Sequence, residues 1–133
     1  MNTQTWYQQL AKPNWAPPTW LFGPVWSVLY LIIIISFGYV FMKYFEGKLP
    51  GFVAAPFVLN VVFNLAFTPL QFGLRNNVLA SIDIVLILVT LIWAVVAIYT
   101  LIPWVTLVNI PYVLWVGFAT ILQLEITRLN LGR

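Results

Sequence analysis

Asn60, Asn64, Phe67 and Gln71 follow one another at intervals of four, three and four residues, so on a helix they share one face. Their neighbours are apolar, and an amide left unpaired in such surroundings is costly. That face must look into protein, either to join helices by hydrogen bonds or to form the wall of a ligand pocket. Trp26 and Trp115 pose the same question. Each lies about two turns inside a hydrophobic block, too deep for anchoring at a membrane surface, and a buried indole N–H needs an acceptor from protein or ligand. Gly117, Ala119 and Thr120, just after Trp115, either open space beside the ring or let a second helix pack close.

These residue types suit binding better than bond-breaking. The chain has no Cys and no His, which removes thiolate nucleophiles, disulfides, axial histidines and the commonest general base. Inside the hydrophobic blocks the acids are Asp83 and Glu125. Asp83 stands near the start of the third block, where it complements a helix dipole within reach of Arg75 or a backbone donor. An acid in a membrane span is also a functional marker, so a small proton-coupled exporter working through Asp83 stands as an alternative. Glu125 has Arg128 three residues on, a spacing that pairs them on a helix near the membrane surface.

The elements that position these residues are four hydrophobic blocks, Trp20–Phe45, Phe52–Phe72, Leu79–Ile102 and Trp104–Leu129. Each is about as long as the roughly 20 residues that cross a bilayer as a helix. Of the 133 residues, 62% are hydrophobic and 7% charged, against about a quarter charged in an average soluble domain. The fold class predicted is therefore all-α: a single integral membrane domain over residues 1–133, an antiparallel bundle of four transmembrane helices at 20–45, 52–72, 79–102 and 104–129. Pro111 falls inside the last block and predicts a kink there. The Ile32–Ile35 run reads as a strip facing lipid. Trp6, Trp15, Trp20 and Trp104 sit at or outside the block ends, where aromatic belts form, and belt anchoring is the expected role of Trp20 and Trp104.

Residues 1–19 are polar and proline-rich, with Pro13, Pro17 and Pro18, and are no secretory signal. They predict a bent surface loop with one amphipathic turn at Thr5–Ala11. Four crossings place both termini on one side with Lys12, Arg75, Arg128 and Arg133, opposite Lys43 and Lys48. By the positive-inside rule the termini and the loop are cytoplasmic. The net charge of +3 is small and scattered, so nucleic acid is not an expected partner.

The run Trp6-Tyr7-Gln8-Gln9-Leu10-Ala11-Lys12-Pro13-Asn14-Trp15-Ala16-Pro17-Pro18, with Gly23-Pro24-Val25-Trp26 and Leu29-Tyr30, resembles the opening signature of the tryptophan-rich sensory protein and translocator protein family (TspO/MBR, peripheral-type benzodiazepine receptors). In register with it, Asn64-Leu65-Ala66-Phe67 through Phe72-Gly73, Ala80 and Asp83 resemble the family's central segment. Pro111-Tyr112-Val113-Leu114-Trp115 with Phe118-Ala119-Thr120 and Leu129-Asn130 resembles its last helix. The resemblance spans nearly the whole chain, and its WY…KPxWxPP run is specific.

The resemblance implies a membrane sensor, carrier or translocator that binds tetrapyrroles, protoporphyrin IX or haem, and small hydrophobic ligands inside the bundle. It requires no cofactor and no metal. The implied pocket uses Trp6 and Tyr7 from the N-terminal loop, Trp26, Asn64 and Phe67, and Trp115 with Ala119. Family members are commonly homodimers, and a photochemical degradation of porphyrin has been proposed for some; the expectation here is no enzyme. The chain departs from the family in three ways. The family has five spans, its extra helix preceding the WY segment, and four are predicted here. Gln123 stands where Asn is commoner. No Tyr lies near Leu124, so the sterol motif placed on the last helix is missing; Val40–Lys48 fits that loose pattern elsewhere, and sterol binding is not expected.

Overall fold

A computed structural model describes residues 10–17, 19–70, 74 and 76–130. A short 3-10 turn at Thr19–Leu21 leads into α1 (Phe22–Phe45), followed by α2 (Gly51–Thr68), α3 (Asn77–Tyr99), α4 (Pro103–Val108) and α5 (Ile110–Leu129). The chain is an all-helical membrane bundle. α1, α3 and α5 are long and apolar enough to cross a bilayer. α2, at 18 residues, is shorter; at 1.5 Å per residue it spans roughly 27 Å, close to the roughly 30 Å hydrocarbon core.

Local chemistry sets the helix ends. Pro24 occupies the first turn of α1, where its missing N–H costs nothing because no carbonyl of the helix waits for it. The end of α1 needs a glycine: Gly47 has φ 77°, and the Lys48 N–H reaches back to the Lys43 carbonyl at 3.0 Å, closing the helix with a left-handed cap. Glu46 in this turn meets Lys43 at 3.4 Å and Lys48 at 3.2 Å, and those ammonium groups, Lys48 first, hold its carboxyl below the ordinary range. The Asn76 side chain caps α3 by accepting from the Leu79 N–H at 2.9 Å.

The last predicted block is not one bent helix. It divides at Asn109, which ends α4 and precedes α5, with Pro111 in the first turn of α5. Pro111 lacks the donor that a continuous helix would use, so the break falls just ahead of it. The fully buried Asn109 amide donates to Ser36 Oγ on α1 at 3.0 Å and to the Val105 carbonyl at 2.8 Å, tying the break to α1.

α2 packs along α3, and α3 along α5. The core between them holds Phe37 against Phe57, edge to face at 4.8 Å, with Val40, Leu91, Ile98, Tyr112 and Val116. Large apolar side chains such as Ile34, Val62, Leu65, Val96 and Leu114 point outward, as hydrocarbon surroundings allow. The Ile32–Ile35 strip is split: Ile34 and Ile35 are exposed, whereas Ile32 and Ile33 pack against the core. Four successive helical residues cover every direction around the axis, so they cannot share one lipid face.

At the end of the bundle where α1 begins, the N-terminal segment is strapped to the end of α5. The Ala11 N–H donates to Asn130 Oδ1 at 3.1 Å and the Asn130 amide returns a bond to the Ala11 carbonyl at 2.8 Å. Trp15 meets Phe118 edge to face at 5.7 Å.

Asn109→Ala should lower unfolding stability by about 1 kcal/mol, since it removes the interhelical bond to Ser36 and opens the pinned break. Ile34→Leu on the lipid face should shift it by less than about 0.5 kcal/mol; denaturant titration in detergent compares them. Asn130→Ala should release the strap, and hydrogen exchange at the Ala11 amide should accelerate while the amides of the α3 core stay protected.

Candidate functional site

Four helices converge on one cavity of about 320 Å³ at the strapped end of the bundle. α1 contributes Phe22, Gly23, Trp26 and Tyr30, and α2 contributes Asn64 and Phe67. Ile84 and Ile87 of α3 form the floor, and Trp115, Val116, Ala119, Leu122 and Gln123 of α5 form the opposite wall. The volume sits at the small end of the roughly 300–1,000 Å³ of small-molecule sites.

Five of the seven residues that the sequence points to, Trp26, Asn64, Phe67, Trp115 and Ala119, line this one cavity. The other two, Trp6 and Tyr7, lie outside the described residues. The aromatic side chains form a connected set. Trp115 meets Trp26 at 6.5 Å and Phe22 at 5.9 Å, both edge to face, and Phe118 at 5.6 Å; Trp26 lies 5.5 Å from Tyr30. The Trp115 Nε1–H is buried and has no hydrogen-bond partner among the described residues. Gly117 has open space beside it, so the small residues after Trp115 do not serve a close helix contact at that position.

The two asparagines of α2 divide the roles that the sequence leaves open between them. Asn60 is fully buried and joins helices: its amide nitrogen meets the Ile87 carbonyl at 2.9 Å and Thr90 Oγ1 at 3.3 Å, and its Oδ1 accepts from the Tyr112 hydroxyl at 2.9 Å. Asn64, one turn on, bonds Tyr112 as well but stands in the cavity wall. Gln123 also lines the cavity and donates to Thr127 Oγ1 at 3.2 Å. Thr127 in turn donates to the Asn77 carbonyl at 3.0 Å and pairs with Ser81, so the α5 wall is tied to the start of α3.

Asp83 departs from its expected place. α3 begins at Asn77, which puts Asp83 in the second turn, beyond the first turn where the helix dipole acts. It is 5% exposed, and its Oδ2 meets no partner among the described residues; Arg75 and Gln71 lie outside them. Asp83 does not line the cavity. Glu125 and Arg128 pair as expected, with Arg128 Nη2 2.8 Å from Glu125 Oε2. Among the described residues no cluster of side chains could hold a metal ion.

Spacing alone passes over Phe22, Tyr30 and Tyr112. Tyr112 enters the sequence reading only within a family segment, yet it is the hub between both asparagines. A signal for it exists: a phenol deep in an apolar helix needs partners, and the two amides of α2 are the obvious candidates.

The profile of the TspO/MBR family matches residues 1–129. The tryptophan-rich protein TspO of Bacillus cereus is 36% identical over 128 residues, covering 96% of this chain and 82% of the relative. Protein CrtK of Rhodobacter capsulatus is 36% identical over 129 residues, covering 96% and 79%. The human translocator protein is 34% identical over 134 residues, covering 96% and 76%. The chain belongs to the TspO/MBR family.

Proposed function

We propose that this TspO/MBR-family membrane protein binds a tetrapyrrole such as protoporphyrin IX or haem, or a comparable flat apolar ligand, in the cavity between α1, α2, α3 and α5. It then works as a sensor or carrier, in keeping with relatives named as sensory and translocator proteins rather than as enzymes. The observation that carries the reading is the convergence of Trp26, Phe67 and Trp115 on one cavity that also holds the amides of Asn64 and Gln123. Indole and phenyl faces hold a flat ring by apolar contact, and a few fixed polar groups orient its edges. The unmet Trp115 N–H adds a donor for a ligand carbonyl or carboxylate.

A four-ring macrocycle with its propionates is larger than 320 Å³. In this reading it enters with one edge buried and the rest reaching toward the N-terminal segment, whose Trp6 and Tyr7 the family resemblance assigns to the ligand. The termini are cytoplasmic in the same reading, with Lys12 and Arg128 on that side and Lys43 and Lys48 opposite.

Titration of the purified chain with protoporphyrin IX should quench tryptophan fluorescence saturably, and a linear, non-saturating response would overturn the reading. Ala119→Leu, which fills the cavity from the α5 wall, should weaken binding by about tenfold or more while helix content is unchanged. For the topology, the absence of native cysteine allows single introduced thiols to be read cleanly. A thiol in the Glu46–Lys48 turn should react with an impermeant reagent added outside intact cells, and one at Lys12 should not.

A further inference from the structure

α2 packs along α3 more closely than along α1, and a groove of about 530 Å³ is left where the Lys43–Lys48 turn joins α1 to α2. Phe41, Tyr44 and Phe45 of α1 line it on one side, and Gly51, Ala55 and Leu59 of α2 on the other. It stands at the far end of α1 from the ligand cavity, whose α1 residues run from Phe22 to Tyr30. Gly51 and Ala55 are four residues apart and share a face of α2, and the Tyr44 ring lies over Gly51, where an added Cβ would meet it at 3.9 Å. Small residues thus keep the α2 side open. From Gly51 to Leu59 the helix rises about 12 Å, so the groove runs from the turn into the hydrocarbon, in the direction of the lipid chains.

The mouth of this apolar groove is charged. Lys43 and Lys48 both meet Glu46 Oε1, at 3.4 and 3.2 Å, which leaves one positive charge in excess. Each ammonium has three N–H groups and gives one to Glu46, so further donors remain for an anion. The other charges among the described residues, Lys12, Asp83, Glu125 and Arg128, belong to the opposite end of the bundle. We propose that the groove takes an acyl chain of an anionic phospholipid, whose phosphate is held at the turn by Lys43 and Lys48. Charge favours a lipid over a second copy of this chain. In a two-fold pair within the membrane the same residues meet at the same depth, so this face would set its excess positive charge against its own copy. An acyl chain needs only apolar contact and room, and a phosphate supplies the missing negative charge. Bound there, the lipid bridges α1 and α2 beside the Gly47 cap. The site does not depend on what the cavity at the other end binds.

Palmitoyl-oleoyl phosphatidylglycerol and phosphatidylcholine carry the same chains and differ in headgroup charge. Native mass spectrometry of the full chain with each lipid should show the anionic one retained at least roughly fivefold more tightly, the effect of about one excess basic residue near a membrane surface. Lys43→Gln combined with Lys48→Gln should reduce that preference to about twofold or less. Ala55→Trp, which fills the groove, should lower retention of phosphatidylglycerol by about tenfold or more. Should that variant not fold, Val58→Trp serves instead, since Val58 lines the same groove and is exposed. Equal retention of the two lipids by the unaltered protein overturns the proposal, as does preference that survives the double Gln substitution or full retention in a folded Trp variant. A dimer that retains no phosphatidylglycerol and separates on Ala55→Trp would assign the groove to a second copy, and displacement of the phospholipid by an equal amount of cholesterol would assign it to a sterol; either result also overturns it.

Discussion

Between α2, α3 and α5, the Asn60 amide gives its N–H groups to α3 and takes the phenol proton of Tyr112 from α5. In hydrocarbon no water can replace these partners, so separating any of the three helices strands polar groups at a cost. The associated net energy is modest, about 0.6 kcal/mol for an average interhelical hydrogen bond in a membrane. Its weight lies in geometry. Apolar side chains slide past lipid and one another with little preference, whereas a chain of hydrogen bonds of fixed direction allows one register. The cavity wall inherits that register, since Asn64 hangs from the same phenol.

α1 joins this frame by different means. It carries the Asn109–Ser36 bond and the Phe37–Phe57 contact in its second half, while its first turns meet α5 through Trp26, Phe22 and Trp115. One half of α1 is therefore held by core packing and the other by aromatic edges around open space. The cavity occupies the loosely packed half, which is also the half covered by the strap through Ala11 and Asn130.

Much of this is legible in the sequence because membranes make the code simple. Hydrophobic blocks of span length can do little else, and amides inside them must face protein, which is why Asn64, Trp26, Phe67 and Trp115 stand out in the sequence and stand around one cavity in the fold. Periodicity cannot say which of Asn60 and Asn64 glues and which lines the wall, because the answer depends on Tyr112, which lies 52 residues from Asn60. The depth of Asp83 escapes the sequence for a related reason: Asn76, a better cap than the hydrophobic boundary suggests, starts α3 two residues earlier and carries Asp83 about half a turn deeper. The Ile32–Ile35 run misleads because its composition says nothing of how four residues turn around a helix.

The break at Asn109 also has a meaning for how the chain fits its bilayer. As one straight helix, Pro103–Leu129 would run to roughly 40 Å, about 10 Å more than a hydrocarbon core of ordinary thickness. A mismatch of that size is relieved by steep tilt or by local thickening of the lipid. Folding the surplus into α4 leaves α5, with 20 residues, at roughly 30 Å. The protein thus shortens its last straight helix through a discontinuity in its own backbone, and the straight run that carries Trp115 and Phe118 is no longer than an ordinary bilayer core.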